Sequence, residues 1–99
     1  MVLLEYNEKE PKISKNAYVS PMATLIGDVT VNDNAIIWPG SILRAENSPI
    51  NIGEYSTIFN GVMLFTKSTN SEINIGRYCI IETGVTILGS LLEDYIQIL

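Results

Sequence analysis

A stride of six residues runs through this chain. Ile13, Val19, Leu25, Val31, Ile37 and Leu43 follow one another at that interval without exception. The phase restarts at Ile52, Ile58 and Leu64, again at Ile75, Ile81 and Ile87, and last at Leu92 and Ile98. A helix cannot use this period. Successive anchors would fall on different helix faces, and the Pro and Gly residues between them would break it. Four residues after the anchors come Ala17, Ala23, Val29, Ala35, Ser41 and Asn47, then Ser56, Val62, Cys79, Val85, Leu91 and Ile96, most of them small or β-branched. Between anchors lie corner residues: Lys15-Asn16, Pro21-Met22, Gly27-Asp28, Asp33-Asn34, Pro39-Gly40, Asn60-Gly61 and Thr83-Gly84. Gly, Asn and Asp tolerate positive φ, and Pro presets a bend.

Each hexad therefore predicts a short strand plus a corner. Three hexads make one triangular coil, and coils stack at roughly 4.8 Å, the strand-pairing distance. The large aliphatic anchor and the small residue two places before the next anchor point into the prism. The expected fold is all-β, a parallel β-helix of about four to five coils. An antiparallel sandwich also uses short strands and turns, but it has no strict six-residue register. Residues 1–12 read as an N-terminal capping segment and 13–99 as a single repeat domain. "ENSPIN" and "KSTNSEIN" interrupt the register and read as loops. The last coil is open, inside the strand-like "DYIQIL", so the repeat is expected to be incomplete at its C-terminus.

The register also sorts Ile58 to Phe65, "IFNGVMLF", which is apolar almost throughout. Ile58, Val62 and Leu64 face inward, and Asn60-Gly61 is the corner. Phe59, Met63 and Phe65 face outward. Phe65 falls in a column with Ile26, Arg44 and Leu88, and Phe59 in a neighbouring column with Ser20, Trp38 and Glu82. Large apolar groups on a surface that the prism cannot bury usually mark a protein interface. Trp38, Arg44, Glu46, Phe59, Phe65 and Leu88 are the expected interface residues. Tyr18, Tyr55, Tyr78 and Tyr95 fall at outward or corner places and are expected to cover surface.

Composition narrows the function further. The chain has 99 residues, 46% hydrophobic and 17% charged, which fits one globular domain. A net charge of -5 with only six Lys and Arg argues against nucleic acid and anionic membranes as partners. "MVLLEY" is too short and too soon acidic for a signal peptide, and no run is long enough to span a bilayer. The single cysteine, Cys79, reads as a small buried apolar residue and fits a cytoplasmic setting. No histidine is present, so mechanisms that need an imidazole have none to use.

"IGDV" (Ile26 to Val29), "IIWPGSILR" (Ile36 to Arg44) and two copies of "INIG" (Ile50 to Gly53, Ile73 to Gly76) carry a resemblance. From about Pro11 to Leu92 the chain resembles the gamma-class carbonic anhydrase-like family, within the hexapeptide-repeat, left-handed β-helix superfamily. The resemblance implies the left hand, a trimer, and a zinc site between subunits held by three histidines. It also implies an Arg-Gly-Asp triplet and a Gln-Asp pair shaping that site. The triplet falls on Arg44-Ala45-Glu46 and the pair on Phe59-Asn60. The histidine positions fall on Phe65, Thr83 and Leu88. Family members usually carry about seven coils and a C-terminal helix, more than the anchors here count out.

No zinc cofactor is expected, because Phe and Leu offer a cation nothing. Arg44 is expected to pair with Glu46 of a neighbouring subunit; Arg44, Glu46 and Asn60 are the family-matched catalytic positions. Glu46, Asn60, Glu82 and Thr83 form a weaker candidate for a hard-cation site. The leading expectation is a catalytically inactive assembly or regulatory module, a homotrimer or a heterotrimer with related subunits. The alternatives are zinc-dependent CO₂ hydration and hexapeptide acyl transfer, which lacks its histidine base here.

Overall fold

A computed structural model describes residues 1–99, and no residue is helical. Strands β1 (Val2–Leu4), β2 (Lys12–Ile13) and β3 (Tyr18–Val19) make the first coil. β4 (Thr24–Val31) and β5 (Ile36–Ile37) make the second, and β6 (Ile42–Ile52) and β7 (Thr57–Ile58) the third. β8 (Met63–Phe65), β9 (Ile73–Ile75) and β10 (Ile80–Ile81) follow, then β11 (Thr86–Ile87), β12 (Ser90–Leu92) and β13 (Gln97–Ile98). Every strand pairing is parallel. The result is a β-solenoid of five turns, consistent with a left-handed β-helix.

Three ladders give three faces. The first runs β1, β4, β6, β8, β11; the second runs β2, β4, β6, β9, β12; the third runs β3, β5, β7, β10, β13. β4 and β6 are long because each bends through the corner between the first two faces, with a register shift between Gly27 and Val29. β1 extends the first ladder, since Val2, Leu3 and Leu4 pair with Thr24, Leu25 and Ile26.

The six-residue anchors form the core. Leu25, Leu43 and Leu64 lie in register on the first face, and all are fully buried. Val31, Ile52 and Ile75 do the same on the second face, and Ile37, Ile58 and Ile81 on the third. Burying each such side chain contributes about 1.5–3 kcal/mol. The end anchors Ile13, Leu92 and Ile98 are only partly buried, because each has a coil on one side.

Two residues read as inward from the previous anchor depart from that reading. Asn47 and Leu91 are exposed, Leu91 to 66%. For Asn47 and Leu91 the cause is counting forward across a corner whose length varies. Counting back two places from the next anchor gives Ile50, Ile73 and Ser90 instead, and these lie in one register column. Ile96 keeps its inward slot, in the column of Ser56 and Cys79, and is partly exposed because no coil lies against it on one side. Two corners always separate anchors by six residues. The corner between the first and second faces separates them by six from Leu25 to Val31, nine from Leu43 to Ile52, eleven from Leu64 to Ile75 and five from Ile87 to Leu92.

Buried polar groups are all satisfied. Ser41 Oγ donates to the Trp38 and Phe59 carbonyls (2.9 and 2.8 Å). Ser56 Oγ donates to the Gly76 carbonyl (2.5 Å) and accepts from Cys79 N–H (2.9 Å). Thr66 Oγ1 donates to the Ser48 carbonyl (2.8 Å) and so ties two of the inserted loops together. A hydroxyl at an inward slot thus bonds coil to coil where a methyl would leave a carbonyl unpaired.

Candidate functional site

The outer surfaces of the three faces differ in chemistry. On the second face, Thr30, Asn51 and Asn74 stand in register. Asn32 Nδ2 donates to Asn51 Oδ1 (3.0 Å), and Asn51 Nδ2 donates to Asn74 Oδ1 (2.9 Å). Up to Asn74 this face is polar and bonded to itself; Leu91 stands next in the column and is exposed. On the first face the equivalent columns are Val2, Thr24, Ile42, Met63, Thr86 and Leu4, Ile26, Arg44, Phe65. Leu88 follows β11 directly after Ile87, which pairs with Leu64, and is 49% exposed. On the third face Trp38 and Phe59 follow the paired residues Ile37 and Ile58.

The apolar side chains on these two faces partly cover one another. Trp38 and Phe59 stack, with centroids 5.7 Å apart and planes 10° from parallel. The Arg44 guanidinium lies over the Phe65 ring, 4.2 Å from its centroid. Its Nε donates to Glu46 Oε2 at 2.5 Å. Within this chain the pair closes along β6, because residues two apart on a strand share a face. Phe65 supplies the second contact. Ser20, expected on the outer surface with Trp38, is buried, and its Oγ accepts from Met22 N–H (3.0 Å).

The bond to Glu46 raises the Arg44 pKa above its ordinary value, against a smaller opposing effect of burial. A raised pKa means the charged form is favoured in the fold. Its contribution is fully present below the ordinary guanidinium value and is lost only as pH rises through the folded value. Arg44→Met should therefore cost the same stability at every pH from about 7 to about 10, where the guanidinium cannot titrate. Urea unfolding at several pH values checks this; a cost that shrinks across that range would contradict it.

The four candidate oxygen ligands are not gathered. Glu46 is engaged by Arg44, and Glu82 Oε2 accepts from Gln97 Nε2 (2.8 Å). Asn60 and Thr83 are exposed corner residues. No group of three or more His, Cys, Asp or Glu side chains stands close enough to hold a metal. The residues at the positions implied for zinc do not fit it either. Phe65 is packed under Arg44, Leu88 is aliphatic, and Thr83 offers one neutral hydroxyl, whereas zinc takes nitrogen, thiolate sulfur or carboxylate oxygen.

One arrangement escapes a reading based on the anchors alone. Tyr55, Tyr78 and Tyr95 occupy one corner of successive coils, all at positive φ (62°, 57° and 65°). Their rings stack at 5.0 and 5.1 Å, within 3° of parallel. A bulky residue with positive φ is unusual and costs roughly 1–2 kcal/mol, and each stacked pair offsets about 0.5–1.5 kcal/mol of that. The signal was present in "EYS", "RYC" and "DYI": each tyrosine stands immediately before an inward slot, where Asn34 stands one coil earlier, also at positive φ (63°).

Short parallel strands, six-residue anchors and a triangular stack define the class, a hexapeptide-repeat β-helix. Its sequence relatives are narrower. Over 56 residues the chain is 43% identical to the carboxysome assembly protein CcmM of a Nostoc species, covering 56% of this chain and 10% of that one. Over 67 residues it is 34% identical to the mitochondrial gamma carbonic anhydrase 3 of Arabidopsis thaliana, covering 68% and 26%. A hexapeptide transferase family protein from Anaplasma phagocytophilum shares its fold with a TM-score of 0.72 and 30% identity, over 86% of this chain and 52% of that one. No protein-family model matches. The chain is thus gamma-carbonic-anhydrase-like in sequence and hexapeptide-transferase-like in structure. It spans about a quarter or less of these two curated relatives and about half of the solved one. No helix is long and apolar enough to cross a membrane.

Proposed function

We propose that this chain is a non-catalytic assembly module of the gamma-carbonic-anhydrase-like kind, acting in the cytoplasm as a trimer with copies of itself or with related subunits. The observation that carries this reading is the Phe65 ring under the Arg44 guanidinium, at a place where the resemblance implies an imidazole. A nucleophile-generating metal has no donor in that ring. The polarity of the faces supports the same reading. The second face bonds its own amides, whereas the first and third carry Ile26, Ile42, Met63, Phe65 and the Trp38–Phe59 pair. Aromatic and Arg groups are the usual anchors of an interface core.

Sedimentation of the wild type is expected to give a trimer, and Phe65→Glu a monomer with an unchanged circular dichroism spectrum. A charge on a desolvated face costs several kcal/mol unless it is paired. An oligomer that survives Phe65→Glu would place the interface elsewhere. Elemental analysis giving one zinc per chain would overturn the non-catalytic reading and favour the activity named for the Arabidopsis relative.

A further inference from the structure

The corner stack of Tyr55, Tyr78 and Tyr95 takes no part in that assembly reading. We propose that it is an oxidative cross-linking site. Under a one-electron oxidant, such as the ferryl haem of a peroxidase supplied with hydrogen peroxide, neighbouring rings couple into dityrosine and staple successive coils together.

Three observations carry this. The rings are neighbours at 5.0 and 5.1 Å, so the partner of any oxidised ring is already beside it. Such proximity corresponds to a very high effective concentration and favours coupling within the chain over coupling between chains. The rings are also accessible, at 51%, 42% and 71% exposure, so an oxidant reaches them and each can turn from face-to-face to edge-to-edge. The backbone beneath is fixed: Tyr78 N–H donates to the Glu54 carbonyl (3.0 Å) and Tyr95 N–H to the Arg77 carbonyl (2.9 Å). Tyr6 and Tyr18 are comparably exposed and stand in no ring pair.

Each of two phenols gives one electron to the oxidant and its hydroxyl proton to water, leaving a phenoxyl radical with spin density on the ortho carbons. Two such radicals on adjacent rings form one carbon–carbon bond. Each ring then passes its ortho hydrogen, through solvent, back to oxygen, and both phenols are restored. Two electrons reach the oxidant, and the product is lighter by two hydrogen atoms. Coupling at either step of the ladder joins the third coil to the fourth or the fourth to the fifth.

The full chain, treated with a haem peroxidase and hydrogen peroxide, is to be separated from oligomers in denaturant and digested with trypsin. Cleavage after Arg44, Lys67 and Arg77 places Tyr55 in residues 45–67 and both Tyr78 and Tyr95 in residues 78–99. The expected products are a covalent adduct of these two peptides, a 78–99 peptide lighter by two hydrogen atoms, and dityrosine fluorescence in the monomer. Tyr78→Phe keeps the ring and the stack but removes the phenol, and should abolish both products. Tyr18→Phe should leave the yield unchanged, and treatment in urea should remove the selectivity. Cross-links at Tyr6 or Tyr18, coupling only between molecules, no coupling, or an undiminished yield in Tyr78→Phe would each overturn the proposal.

Discussion

Gly53→Ala is expected to destabilise the fold by about 3 kcal/mol, the upper end of what overpacking usually costs. Gly53 ends the first "INIG", where the third coil closes on the fourth. A β-carbon there would lie 2.5 Å from the Gly76 carbonyl carbon and 2.8 Å from the Ile75 oxygen. Those are backbone atoms held by the ladder, since Gly53 N–H itself donates to the Ile75 carbonyl (2.8 Å). The coil cannot move aside without breaking its own hydrogen bonds. Gly61 is the matched control. Its φ is +69°, yet a β-carbon there would meet nothing within 4 Å. Gly61→Ala should therefore cost only the left-handed conformation, about 1 kcal/mol. Urea midpoints of the two variants test the difference. Equal losses would mean that the close approach of coils at Gly53 is not what the glycine provides.

Ile75→Ala should lose about 2–5 kcal/mol, while Asn74→Ala, one residue away, should lose about 1 kcal/mol or less. Ile75 is fully buried, in register between Ile52 and Leu92. Its neighbours lie above and below in a stack of coils whose spacing is set by backbone pairing, so the prism cannot collapse into the cavity. Asn74 points outward on the polar face and gives up one exposed amide bond. Both positions lie away from the proposed interface, so the measurement reads folding rather than assembly. Chemical unfolding of the two variants at matched concentration decides it; similar losses would show that the inward–outward alternation is wrong on this face.

The repeat was legible because it is a sterically forced pattern. One residue in every six is a large aliphatic pointing toward the axis, and Leu25, Leu43 and Leu64 or Ile37, Ile58 and Ile81 announce this without help from any partner. The outward columns followed from the same register, including Ile26, Arg44 and Phe65. Three kinds of information were not written in the stride. The Arg44–Glu46 pair depends on rotamers, and a strand lets residues two apart meet without any neighbour. The inward role of Ile50 and Ile73 is hidden by corners of unequal length. The tyrosine stack depends on φ, and nothing in tyrosine's own preferences predicts a left-handed turn. It is visible only after coils are aligned, when intervals of 23 and 17 residues between tyrosines match those from Thr57 to Ile80 and from Ile80 to Gln97.

All variation in coil length is gathered at the edge that joins the first two faces, where Thr66, Ser48 and Ser71 knit the longer excursions together. That edge works as a seam. Material added or removed along it changes what the seam displays and leaves the girth of the prism untouched. One rigid rod can thus present different side chains at each level, while the two remaining edges keep every rung at the same height.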